Sequence, residues 1–173
     1  AVLKAAFQGA EAVYAMVPPN YTAEDFYAYQ VAASDAIAEA IEANQVPNVV
    51  TLSSLGAHLT EKAGVVQGLH YLENRLNQID GLNALHLRPG YFMENTLGMA
   101  PLAKMAGIIG APLKPDMQIP MIATQDIADY AAKRLAALDF SGKSHQDLMG
   151  SRDVSYSEVA QVYGNAIDKP ELM

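Results

Sequence analysis

The sequence contains no cysteine, which excludes disulfides, thiolate metal sites and a cysteine nucleophile together and fits a reducing compartment. Its four histidines, His58, His70, His86 and His145, show neither HxH nor HxxxH spacing, so no metal site is expected. Basic residues are few: 11 Lys and Arg stand against 19 Asp and Glu, for a net charge of -8. With no basic stripe, direct binding to nucleic acid is not expected, because such affinity rests on clustered cations that release counterions. Apolar stretches break off well short of the roughly 18 residues a membrane span needs, and no charged-then-apolar leader opens the chain. A cytoplasmic protein without membrane contact is the expectation. Also absent is any GxGxxG or GxxGxxG turn; Gly107 and Gly110 are the nearest glycine pair, far downstream and outside a strand-to-helix context.

What is present reads as an α/β chain. At 173 residues, with 51% apolar and 17% charged content, one domain over residues 1–173 can bury a core without staples. The run from Pro47 through Val49, Val50, Thr51 and Leu52 to Ser53, Ser54 and Gly56 is apolar and β-branched, and amphipathic helical patterns flank it. Such a run predicts a strand buried on both faces of a parallel sheet. Ala12–Val17 is a second short apolar run, stopped by Pro18-Pro19-Asn20, and Asn83–Leu87 a third, followed by Arg88-Pro89. Helical spacing before Gly9, from about 23 to 44 and from about 66 to 80 supplies the crossovers of βαβ units, which set the strands parallel. The expectation is therefore a doubly wound, partial Rossmann-like sheet. In open sheets of this kind ligands lie beyond the carboxyl ends of the strands, which makes Ser53 and Ser54 candidate site residues.

The last third is less regular. Pro89 to Met93 reads as a loop and 94–106 as one helix. Residues 107–120, with three prolines and two glycines, read as a substrate-side loop containing a short strand. Helices are expected at about 125–138, with Thr124 as a cap, and at about 156–167, where Ser155 and Glu158 make a capping box; a strand near 145–149 lies between them. Asp126 at a helix start gains from the helix dipole.

The succession Ala12–Pro19, Val50–Ser54, Leu87-Arg88-Pro89-Gly90-Tyr91-Phe92-Met93-Glu94-Asn95 and Ile122–Ala128 resembles the NmrA-like family, atypical short-chain dehydrogenases/reductases that bind NADP(H) or NAD(H) on a Rossmann fold. The resemblance covers nearly the whole chain. It implies that Met16, Pro18 and Pro19 line the adenosine side, that Ser53, Ser54 and His70 approach the ribose or nicotinamide, and that Pro89, Tyr91 and Phe92 cover a flat ring. Tyr71 and Arg75 stand where classical relatives carry a Tyr-x-x-x-Lys acid pair. Tyr71 is thus a catalytic candidate, although a guanidinium does not replace an ammonium like for like.

By the same comparison the chain starts ahead of the fourth strand of the family fold and stops soon after 167, shortened at both ends and without the pyrophosphate cradle. Losing two or three charge-assisted amide bonds costs about 3 to 9 kcal/mol, so dinucleotide binding by this chain alone is expected to be weak. The strand at 12–17 is expected at a sheet edge, where it favours self-association or a second segment. Three functions remain open: a redox-cofactor sensor acting on a regulatory protein, an NAD(P)H-dependent oxidoreductase for a quinone or carbonyl acceptor, and a shortened chain without activity.

Overall fold

Three of the apolar runs become adjacent strands. The computed structural model describes residues 2–110 and 113–172; Ala111 and Pro112, within the stretch read as a substrate-side loop, lie outside the described residues. In chain order the elements are α1 (Val2–Ala6), β1 (Val13–Ala15), α2 (Phe26–Asn44), β2 (Asn48–Leu52), α3 (Gln67–Asn77), β3 (Asn83–Pro89), β4 (Tyr91–Phe92), α4 (Ala100–Ala106), β5 (Ile119–Ile122), α5 (Thr124–Ala137), β6 (Lys143–Leu148), β7 (Asp153–Val154) and α6 (Tyr156–Ala166). They group into two compact units. The first runs through Pro89 and includes Ala128–Asp147; the second comprises Gly90–Ile127 and the described residues from Leu148 onward.

The first unit is built on a sheet of order β1-β2-β3-β6. β1 pairs parallel with β2 in the register Val13 to Val49, and β2 pairs parallel with β3 in the register Val50 to Leu85. The expected parallel α/β architecture is therefore present. α2 starts where the Asp25 carboxylate accepts from the Ala28 amide, and it ends at Gln45, whose left-handed backbone closes the last turn. Ile37, Ile41, Val49, Leu72 and Leu76 form the core between sheet and helices. Each such aliphatic side chain contributes roughly 1.5 to 3 kcal/mol when fully buried.

Polar clamps fix the register at the amino ends of the strands. Asn48 Nδ2 donates to the Glu11 carbonyl at 3.0 Å, Asn83 Nδ2 donates to Asn48 Oδ1 at 3.0 Å, and the Gly142 amide donates to Asn83 Oδ1 at 2.9 Å. A one-residue slip would break this chain of bonds and turn the buried face outward. Lys143 Nζ donates to the carbonyl of Leu76 at 3.4 Å, in the last turn of α3 where helix carbonyls lack partners, and to those of Ile79 at 2.8 Å and Leu82 at 2.6 Å beyond the helix.

The second unit holds a smaller sheet of order β4-β5-β7. Residues 89–93, expected as a loop, instead carry β3 on through Pro89 and form β4, which pairs parallel with β5 from Tyr91 to Met121. The residue between them must be Gly90, because a Cβ there would lie 2.2 Å from the Pro120 carbonyl oxygen. The expected helix over 94–106 divides into a 3-10 segment, Met93–Met99, and α4. Pro101 sits in the first turn of α4, where its missing amide hydrogen is harmless. Ser155 and Glu158 form the expected capping box of α6.

Candidate functional site

Because β1, β2 and β3 run parallel and side by side, their carboxyl ends share one edge of the first unit. The β2–β3 ladder continues past the strands: the Ser53 amide donates to the Leu87 carbonyl at 2.7 Å and the Leu55 amide to the Pro89 carbonyl at 2.9 Å. Backbone pairing thus brings Ser53 and Pro89 together, with Pro89 fully buried. Met16 and Pro18, just beyond β1, are exposed.

Ser53 is 3% exposed and turns toward α3, where its hydroxyl donates to Glu73 Oε1 at 2.5 Å. Arg88 Nε donates to the same oxygen at 3.0 Å and Nη2 to Glu73 Oε2 at 2.5 Å. Burial pushes the Glu73 pKa up, but the bonds from Arg88 and Ser53 outweigh it and hold the carboxyl below the usual range. Glu73 is therefore ionised at neutral pH, and the Ser53 proton is committed to it. The neighbouring Ser54 is half-buried and bonds locally to the Leu55 carbonyl at 3.2 Å.

Beneath this cluster lies His86, paired in register with Thr51 and 2% exposed. Its Nε2 lies 3.0 Å from Asn77 Oδ1, an oxygen that only accepts, so Nε2 carries the proton and Nδ1 accepts from the Thr51 hydroxyl at 2.8 Å. Burial is the main reason its pKa falls from 6.5 to about 4, with the Arg88 charge adding to the effect.

His70 is held similarly: Nδ1 donates to the Ala57 carbonyl at 2.7 Å and Nε2 accepts from Asn74 Nδ2 at 2.8 Å. This bond ties α3 to the loop after β2. Tyr71 lies across the helix from Glu73, since two residues advance about 200° around an α-helix. Its hydroxyl donates to Asp35 Oδ1 at 2.9 Å, a bond that raises its pKa, with burial adding to the shift. Arg75 makes a bidentate pair with Glu42 at 3.0 and 3.1 Å. Tyr71 and Arg75 thus both face α2.

In the second unit Tyr91 accepts from the Tyr156 hydroxyl at 3.0 Å, with the rings edge to face at 6.4 Å. Burial, and then this bond, raise the Tyr156 pKa. Phe92 is half-buried beside it in sequence. Glu94 caps α5 rather than its own helix: both carboxylate oxygens accept from the Thr124 amide, at 2.9 and 3.0 Å. Among the described residues no three His, Asp or Glu side chains gather to hold a metal, and no helix is long and apolar enough to cross a membrane.

The Glu73–Arg88 pair and buried His86 are the parts not singled out from sequence. A signal exists: Glu73 interrupts the apolar stripe Leu69, Leu72, Leu76 on the core face of α3, and a charge there requires a partner.

A family model, the NmrA-like family, matches residues 1–171. The chain belongs to the NmrA-like family. Agroclavine dehydrogenase of Claviceps fusiformis is 33% identical over 119 residues, covering 66% of this chain and 40% of that protein. Among solved structures, the Escherichia coli NADPH-dependent quinone oxidoreductase QOR2 in complex with NADPH superposes with a TM-score of 0.78 at 23% identity, over 96% of this chain and 56% of that one. A UDP-N-acetylglucosamine 4-epimerase from Methanobrevibacter ruminantium gives 0.75 at 13% identity, over 97% and 64%. At these identities the structural likeness is one of fold. The chain spans 40% of its dehydrogenase relative and 56% of the quinone oxidoreductase.

Proposed function

We propose that this NmrA-like chain supplies the nicotinamide-side half of a NADP(H) or NAD(H) site, and that its activity is hydride transfer to an organic acceptor without a tyrosine acid. The observation that carries the reading is the shared edge of three parallel strand ends in the first unit, the position where open α/β sheets bind ligands. The edge fits that half of the cofactor through Ser54 and His70 on the segments after β2, while exposed Met16 and Pro18 offer apolar surface to the adenosine side. The sequence holds no glycine-rich cradle for the pyrophosphate. A reduced nicotinamide, when bound, supplies a hydride.

The proton must then come from elsewhere. Ser53 gives its hydroxyl proton to Glu73 and Tyr71 gives its own to Asp35, so neither is poised to protonate a carbonyl oxygen. An acceptor such as a quinone, whose reduced oxygen takes a proton from water, suits this site better. The likeness to a dehydrogenase at 33% identity supports a redox role. At millimolar NADPH the expected result is slow oxidation of the nicotinamide in the presence of menadione, at a rate that Tyr71→Phe leaves unchanged.

The same committed hydroxyls favour a second reading, a redox-cofactor sensor that acts through a regulatory protein. Dinucleotide binding without turnover of any quinone or carbonyl would favour it over hydride transfer. In either case we propose that the chain self-associates along β1, the edge strand of its sheet, where Tyr14 within the strand and Met16 just after it are 42% and 45% exposed. Concentration-dependent mass in sedimentation is the expected sign; an ideal monomer at high concentration would contradict it.

A further inference from the structure

In the second unit the turns that follow β4 reverse the usual polarity of a surface helix. Through the 3-10 segment Met93–Met99 and α4, Thr96 and Ala103 are the buried residues, whereas Leu97, Leu102 and Met105 are 61%, 44% and 86% exposed, and Ile108, just past α4, is 44% exposed. A helix at the surface of a globular unit ordinarily turns its large apolar residues inward. Here a small one makes the inward contact, Ala103 clustering with Ala160 and Leu172, and the large ones face water. Single exposed apolar residues call for no explanation, but a run of this kind marks a contact surface.

The charge of the segment narrows the partner. From Asn95 to Pro115 the sequence has two lysines, Lys104 and Lys114, and no acidic residue, in a chain that carries 19 Asp and Glu. Both lysines are exposed. The carboxylates at its borders are engaged: Glu94 accepts from the Thr124 amide at 2.9 Å and hydroxyl at 2.7 Å, and Asp116 accepts from the Ser157 hydroxyl at 3.0 Å. The face therefore offers ammonium groups beside apolar side chains, although the chain as a whole carries a charge of -8. A partner with an apolar stripe and carboxylates at its margin is complementary to both features. A helix face packs on another helix, ridges into grooves, and an unbranched methionine such as Met105 adapts to the ridge it meets.

We infer that the exposed face of Leu97, Leu102, Met105 and Ile108 is a docking surface for an amphipathic helix of a partner protein, apolar on one side and acidic at its margins. The inference rests on the regulatory-protein reading above, to which it gives a contact surface, and it does not involve the dinucleotide.

The probe is a fluorescein-labelled helical peptide of about 18 residues, with leucines at i, i+3, i+4 and i+7 and glutamates on the flanks; its control carries lysines in place of the glutamates. Anisotropy at physiological salt is expected to show saturable binding of the acidic peptide and about tenfold weaker binding of the basic one, the reverse of the order that the net charge of the chain would impose. Leu102→Glu and Met105→Glu alter exposed positions and so spare the core; each should weaken the acidic peptide about tenfold while far-UV circular dichroism stays unchanged. No saturable binding, tighter binding of the basic peptide, or equal binding by both folded variants would overturn the inference. Loss in these variants of flotation with phosphatidylcholine and phosphatidylglycerol vesicles, or of self-association in sedimentation, without any binding of the acidic peptide, would assign the face to lipid or to a second copy and overturn it as well. If the peptide fails while NADPH still binds without turnover, the sensor reading stands and the docking surface falls.

Discussion

Acidification should destabilise the first unit through His86. The ring is 2% exposed, its Nε2 proton goes to Asn77 and its Nδ1 accepts from Thr51, so the folded chain has no place for a second ring proton. Its pKa is about 4 in the fold against 6.5 in an open chain. Between those values the unfolded state binds the proton and the native state does not, so stability is full above about pH 6.5 and falls as pH drops toward about 4. Linkage over that interval sets an upper limit of about 3 kcal/mol, of which about 2 kcal/mol is lost between pH 7 and pH 5. Urea unfolding followed by circular dichroism at these two pH values measures the loss directly. His86→Gln keeps a polar side chain of similar reach but cannot titrate, so its stability should change by about 2 kcal/mol less than the parent's over the same interval. Identical pH dependence in parent and variant, or a His86 ring resonance that titrates near 6.5 in the folded chain, would refute the reasoning.

Other outcomes follow from the same contacts. Arg88→Met leaves the buried Glu73 carboxylate without its cation and should cost about 3 to 5 kcal/mol in urea unfolding, whereas adding Glu73→Gln should restore part of it; equal losses in single and double variants would contradict the pairing. Tyr71→Phe removes one bond to Asp35 and should cost about 0.5 to 1.5 kcal/mol with no effect on dinucleotide binding. Weakened binding in that variant would return Tyr71 to the site. Gly90→Ala drives a Cβ against the Pro120 carbonyl and should destabilise the second unit by about 1 to 3 kcal/mol, seen as a lower unfolding midpoint; an unchanged midpoint would show that the β4–β5 pairing yields more easily than its geometry implies.

Much of the fold was legible because its signals are local. The β-branched run at Val49–Leu52, the proline stop after Val17 and the helical stripes of α2 and α3 each specify an element within a dozen residues, and parallel pairing follows from the crossovers. β4 and β7 were not legible: each is two residues long, too short for alternation to register, and each exists through its pairing with β5. The 3-10 stretch after Phe92 escaped for a related reason, since its Thr96 side chain bonds back to the Met93 carbonyl, a local alternative to helical pairing. At the strand ends Ser53 was legible as a position, but its partner was not. Glu73 lies 20 residues away and Arg88 a further 15, and only the packed sheet brings the three together.

The most direct test of the central claim is an amide chemical-shift map of this chain titrated with NADPH. The expected result is weak but saturable shifts confined in the first unit to the carboxyl edge of the sheet, at Met16 and from Leu52 to Ala57, with Asn48, Asn83 and Gly142 at the opposite edge unmoved. Shifts centred on those asparagines, or none up to the solubility limit of the nucleotide, would contradict it.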